Sequence, residues 1–138
     1  MNTRVLIMGL PGSGKSTLAS KLHAIIGESI WLNGDALREE HNDWDFSEIG
    51  RIRQAHRMRY RADDHKNTLV IMDFVCPLEE MREIVDPGFI IWMNPPERCR
   101  EYEDTSSMFE PPTRVHLEVT SFEYTDELVE ELAEILTE

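Results

Sequence analysis

The sequence predicts a three-layer α/β domain: a mostly parallel, five-stranded sheet with helices on both faces. Three observations carry this expectation. Short apolar runs alternate with helix-competent segments along the whole chain, the pattern of a parallel sheet fed by helical crossovers. The first run, Val5-Leu6-Ile7-Met8, passes straight into a glycine-rich turn, and a helix-competent segment from Thr17 to Ile26 follows. At 138 residues, with no linker, repeat or low-complexity tract, residues 1–138 make one domain with a single core.

Arg4–Met8 reads as a short buried strand and Ser16–Ile26 as the next helix, closed by Gly27 as its C′ residue. Ser29-Ile30-Trp31-Leu32-Asn33 is rich in β-formers and is the second strand. It runs into Gly34, where the chain turns and a short helix carrying Asp35 and Arg38 begins. A polar loop from His41 to Phe46 follows, and Ser47 caps a long helix reaching about Lys66. Its apolar stripe is Ile52, Ala55, Met58 and Ala62; Arg51 and Gln54 share a neighbouring stripe, and Arg53, Arg57 and Arg61 form another, read as solvated.

Leu69–Asp73 is the clearest buried strand. Phe74-Val75-Cys76-Pro77 then leads to a helix over 78–85, with Pro77 suited to its first position. Asp86-Pro87-Gly88 is a turn, and Phe89–Met93 is the fourth strand, stopped by Asn94-Pro95-Pro96. Residues 97–112 are the least regular, with a short helical piece at 98–103, and read as a reduced lid. Val115–Val119 is the fifth strand. Thr125 caps the last helix, whose Leu128, Leu132, Ile135 and Leu136 face the core.

Composition narrows the function. The formal net charge of -13 opposes tight non-specific binding to nucleic acid, which needs an excess of Lys and Arg. The charge is unevenly spread, with Arg51, Arg53, Arg57, Arg59, Arg61 and Lys66 crowding one segment, which suggests a local anion site. The two cysteines, Cys76 and Cys99, sit in no metal-ligand spacing. So few cysteines make a reduced, cytoplasmic protein the expectation, and with no apolar run of membrane-spanning length no membrane partner is expected.

The glycine-rich turn carries the chemistry. Gly9-Leu10-Pro11-Gly12-Ser13-Gly14-Lys15-Ser16-Thr17 fits G-x-x-x-x-G-K-[ST] from Gly9 to Ser16, in the strand–turn–helix context of a P-loop. Gly12 and Gly14 let successive N–H groups point inward at phosphate oxygens. Lys15 reaches the β- and γ-phosphates, and the Ser16 hydroxyl is a ligand of Mg²⁺. The expected ligands are therefore ATP and Mg²⁺, in a P-loop NTPase/kinase fold. Asp73 ends an apolar strand as a Walker B acid does and is a second Mg²⁺ candidate. Asp35 lies where a strand ends beside the loop, as a metal or substrate contact or as an N-terminal helix cap.

Taken together, these pieces resemble the adenylylsulfate kinases. That family carries G-L-x-G-x-G-K-S-T, matched by the loop from Gly9 to Thr17, and D-G-D-x-x-R, matched by Asn33-Gly34-Asp35-Ala36-Leu37-Arg38. Its F-S-x-x-D-R-x-x-N-I-R-R is similar to the stretch from Phe46-Ser47 through Arg51 and Gln54 to Arg57. Its F-I-S-P looks like Phe74-Val75-Cys76-Pro77, and an acidic D-S-P-Y-E-x-P segment has a faint echo at 104–111. The resemblance implies transfer of the ATP γ-phosphoryl group to the 3′-hydroxyl of adenylyl sulfate, a small-molecule substrate. Lys15, Asp35 and Arg38 would be catalytic, with Asp35 meeting the attacking hydroxyl or the Mg²⁺ shell. Arg38 and Arg51 would hold the phosphosulfate, Gln54 stands where the family has a substrate-contacting Asn, and Phe46, Phe74 beside Val75, and Phe109 would stack on adenine. A homodimer is left open.

The chain departs from the family at Asn33, Gly50 and Cys76, where the family has Asp, Asp and Ser. The segment before the first strand and the basic lid are also shortened, so the resemblance implies a compact member. Two rivals remain at this stage. Polynucleotide kinases share G-x-P-G-S-G-K-S-T and N-x-D-x-x-R, so Pro11 and Asn33 also suit a kinase for another hydroxyl, on a polynucleotide 5′ end, a modified nucleobase or a small metabolite. A nucleotide-binding module without phosphoryl transfer would need neither Asp35 nor Arg38.

Overall fold

Short runs rich in apolar residues become strands, and five of them pair in parallel in one sheet. The computed structural model describes residues 4–96 and 108–138. The strands are β1 (Arg4–Met8), β2 (Ser29–Asn33), β3 (Leu69–Asp73), β4 (Phe89–Met93) and β5 (Leu117–Val119), in the sheet order β2-β3-β1-β4-β5. The helices are α1 (Lys15–Ile26), α2 (Gly34–His41), α3 (Glu48–Asp63), α4 (Glu79–Val85) and α5 (Asp126–Thr137). The expected helical piece at 98–103 and most of the expected lid lie outside the described residues.

Strand alternation sorts the core into two layers. Val5, Ile7, Leu69, Ile71, Ile91 and Met93 pack with Leu18, Leu22, Leu132 and Leu136 of α1 and α5. Leu6, Met8, Val70, Met72 and Ile90 face the opposite way, onto Leu37, Ala55, Met58, Met81 and Val85 of α2, α3 and α4. The first two strands are not neighbours: β1 lies between β3 and β4. This reversal of strand order opens a cleft at the carboxyl ends of β1 and β3, where open α/β sheets bind ligands.

Four strand boundaries are as expected, and the departures have local causes. β5 starts at Leu117 because His116 takes the preceding ladder position: its Nδ1 accepts from the Ile90 N–H at 3.0 Å while its ring stacks on Phe89. α3 ends at Asp63, short of Lys66, where the Asp64 and His65 N–H groups tighten onto the Arg61 and Ala62 carbonyls. Pro77 is not the first residue of α4, because the helix begins at Glu79 after Leu78, and the Pro77 carbonyl serves Glu110 and Arg82 instead. On α5 the buried stripe is Val129, Leu132, Ala133 and Leu136; Ile135 is 51% exposed. The caps expected at Ser47 and Thr125 form, accepting from Gly50 N and Leu128 N.

Candidate active site

The phosphate-loop helix begins with its donors left open. Gly14, in the left-handed conformation at φ 94°, caps α1 without a side-chain hydrogen bond, and no acidic residue stands in the first turn. A helix N-terminus in that condition offers backbone N–H groups and a positive dipole end to an anion. Lys15 lies at this point and donates to the Leu10 carbonyl at 3.1 Å. Burial lowers its pKa, against the opposing pull of the Asp73 and Asp35 carboxylates. Phe122, half exposed, lies beside Gly14 at the edge of the loop.

Asp73 ends β3 in register with Asn33 and Ile7, and it is 1% exposed. Its Oδ2 accepts three hydrogen bonds: from Ser16 Oγ at 2.9 Å, Asn33 Nδ2 at 3.0 Å and Trp31 Nε1 at 3.2 Å. Its Oδ1 is buried with no hydrogen-bond partner. A carboxylate that directs one oxygen into three donors and holds the other in reserve fits a site for a hard cation, as do the oxygens of Ser16 and Asp35. Among the described residues no group of three or more His, Cys, Asp or Glu side chains converges on a metal site.

On the other side of the mouth, Asn33 is the cap of α2, its Oδ1 accepting from Ala36 N at 2.9 Å. Asp35 is therefore not the cap; it stands exposed in the first turn of α2, and its charge is felt at both Lys15 and Arg38. Arg38 is buried, and its Nη1 donates to the Asp43 and Asp45 carbonyls at 3.0 and 3.1 Å. Arg51 is buried on α3, its Nε donating to the Phe46 carbonyl at 2.9 Å. Both guanidiniums lie over the Phe46 ring, at 4.5 and 5.2 Å from its centroid. Burial first, and then the Arg38 charge, lowers the pKa of Arg51; burial likewise dominates at Arg38. Two cations held this close would be relieved by an anion.

The remaining expected site residues take other places. Gln54 is buried, with Nε2 on the Gly34 carbonyl and Oε1 accepting from Arg57. Phe74 is buried against Gly34, with Val75 half-buried beside it. Phe109 stacks on Trp92 under the Arg82 guanidinium. The arginine stripe is not a loose solvated face: Arg53 and Arg57 both pair with Asp43, and Arg61 pairs with Glu40. Sequence reasoning missed Trp31, read only as a β-former. Its position two residues before Asn33 puts both on one face of β2, and that signal could have found it. None of the described helices is long and apolar enough to cross a membrane.

The family model for adenylylsulphate kinase matches residues 1–119. An adenylyl-sulfate kinase of Paraburkholderia xenovorans is 32% identical over 117 residues, 76% of this chain and 65% of the relative, so the chain spans about two thirds of that protein's length. The structure of the Mycobacterium tuberculosis APS kinase CysC in complex with AMPPNP and APS superposes with a TM-score of 0.77 at 22% identity, covering 99% of this chain and 98% of that one. A shikimate kinase from Aquifex aeolicus shares the fold alone, with a TM-score of 0.67 at 17% identity over 98% of this chain and 96% of its own. The phosphate loop, the Asp73 cluster and the arginine pair over Phe46 all fall inside the family match, and the chain belongs to the adenylylsulphate kinase family.

Proposed function

We propose that this chain transfers the γ-phosphoryl group of ATP to the 3′-hydroxyl of adenylyl sulfate. The observation that carries the reading is the placement of two anion-binding features on either side of Asp35. One is the open N-terminus of α1 with Lys15, and the other is Arg38 and Arg51 over Phe46. Phosphoryl transfer asks mainly for positioning and charge stabilisation, and these parts supply both. The backbone N–H groups of Gly12 to Ser16 and the Lys15 ammonium bind the ATP phosphates. Ser16 and Asp73, with Asp35 nearby, would hold Mg²⁺, which supplies charge neutralisation on the phosphate oxygens. Asp35 orients the acceptor hydroxyl and takes its proton. Arg38 and Arg51 grip the phosphosulfate, and Phe46 meets the adenine of the same substrate, with Phe74 and Phe109 behind it.

The ligands named for the Mycobacterium tuberculosis enzyme, AMPPNP and APS, support this pair of substrates. The arginine stripe supports a compact acceptor over a polynucleotide. Arg53, Arg57 and Arg61 are already paired with Asp43 and Glu40, which leaves little of the basic track a nucleic-acid backbone would need. The test is parallel turnover with Mg²⁺ and labelled ATP, offering adenylyl sulfate, a 5′-hydroxyl oligonucleotide or no acceptor. Label should move to adenylyl sulfate alone; transfer to the oligonucleotide, or hydrolysis without transfer, overturns the proposal.

A further inference from the structure

Gln54 is a buried amide, 2% exposed, in the middle of α3. A buried amide has to find partners at both ends, and this one does. Its Nε2 donates to the Gly34 carbonyl at 2.9 Å and its Oε1 accepts from Arg57 Nη1 at 3.4 Å. A carbonyl can only accept and a guanidinium can only donate, so both partners require the same orientation of the amide. Gly34 is the first residue of α2, and a Cβ there would lie 2.5 Å from the Phe74 Cβ. The peptide that opens α2 is thus wedged against the end of β3 on one side and gripped by Gln54 on the other. Asp35 follows it directly, and Arg38 lies one turn on. Arg57 is itself tied to Asp43, whose carbonyl accepts from Arg38, so the grip belongs to a continuous network between α3 and α2.

We propose that Gln54 is a positioning residue for Asp35, holding the first turn of α2 through Gly34, and does not touch the acceptor. This rests on the kinase reading, in which Asp35 meets the acceptor hydroxyl. A displacement of about 1 Å at such a group costs on the order of 10²-fold in rate, so the effect falls on kcat. Gln54→Asn separates the two roles. It restores the residue type with which the family contacts substrate, yet it withdraws the amide by one methylene, about 1.5 Å, out of reach of Gly34. Gln54→Glu keeps the length and the Arg57 contact but sets a carboxylate against the Gly34 carbonyl.

The experiment combines amide hydrogen exchange, thermal melting and kinetics on Gln54→Asn, Gln54→Glu, Asp35→Asn and the Gln54→Asn/Asp35→Asn double variant. Exchange should quicken in the first turn of α2, with the melting temperature within a few degrees of wild type. In both Gln54 variants kcat should fall by about tenfold or more, with both KM values within about twofold. Once Asp35 is replaced, Gln54→Asn should cost less than about twofold further. Unchanged exchange, a raised acceptor KM with kcat intact, or effects that multiply in the double variant each overturn the proposal. Should wild type fail to turn over adenylyl sulfate, the kinase reading falls, while the exchange data still decide whether Gln54 holds α2.

Discussion

Replacing Arg82 by Met should remove a large part of this protein's stability. The Arg82 side chain is 3% exposed on α4. Its Nε donates to the Cys76 carbonyl at 3.1 Å, and its Nη2 donates to the Pro77 and Glu110 carbonyls at 3.2 and 2.6 Å. Nη1 pairs with Glu79. These bonds are not equal. Glu79 and Glu110 reach solvent and can turn to water, so losing them costs little. The Pro77 carbonyl keeps a second donor, Glu110 N at 2.8 Å, whereas the Cys76 carbonyl has no other donor among the described residues. Two charge-assisted bonds to buried carbonyls at about 1.5–3 kcal/mol each, one of them leaving an orphan, sum to roughly 3–6 kcal/mol for Arg82→Met. That is about a fifth or more of a typical total of about 5–15 kcal/mol. Urea unfolding followed by far-UV circular dichroism, at a mid-range slope of about 2 kcal/mol/M, should show the midpoint falling by roughly 1.5–3 M. Arg82→Lys should recover little, since one ammonium cannot span all three carbonyls. A loss below about 1 kcal/mol for Arg82→Met would refute the reasoning, because it would mean that these carbonyls find water instead.

The remaining predictions concern charge. Lys15→Ala should lower phosphoryl transfer by at least about 10²–10³-fold. It should not lower the melting temperature, because burial already disfavours the ammonium in the empty fold; near-normal turnover or a marked loss of stability would contradict this. Asp43 is held well below the usual carboxylate range, chiefly by hydrogen bonds from Arg53 and then Arg57. Its contribution is complete above the unfolded-state value of about 3.9 and is lost only as pH falls through the lower folded value. The melting-temperature gap between wild type and Asp43→Asn should therefore be widest above pH of about 5 and close only in stronger acid; a gap that widens on acidification would contradict the assignment.

Much of the frame was legible in the sequence because parallel strands buried on both faces leave unbroken apolar runs, as in Val70-Ile71-Met72. The phosphate loop was legible because its chemistry is local. Charge pairing across elements was not: Arg53 and Arg57 look like a solvated stripe until the loop after α2 brings Asp43 against them. Helical spacing from Leu128 and Leu132 predicts a core position for Ile135, whereas the tertiary contact selects the stripe through Val129 and Ala133. The departure at Gly50 also has a physical reason that no motif reveals, since a Cβ there would lie 2.1 Å from the Asp45 carbonyl oxygen. His116 delays the start of β5 by substituting a ring nitrogen for a backbone acceptor, which composition cannot signal.

The strand order has a consequence for synthesis. β1 and β2 leave the ribosome before β3, but they do not pair with each other; both wait for β3, whose residues 69–73 emerge long after residue 8. At about 5–20 residues per second, the nascent Val5-Leu6-Ile7-Met8 segment stays without its strand partner for roughly 3–13 s. The phosphate loop therefore gains its rigid floor only when β3 and then β4 slot in on either side of β1.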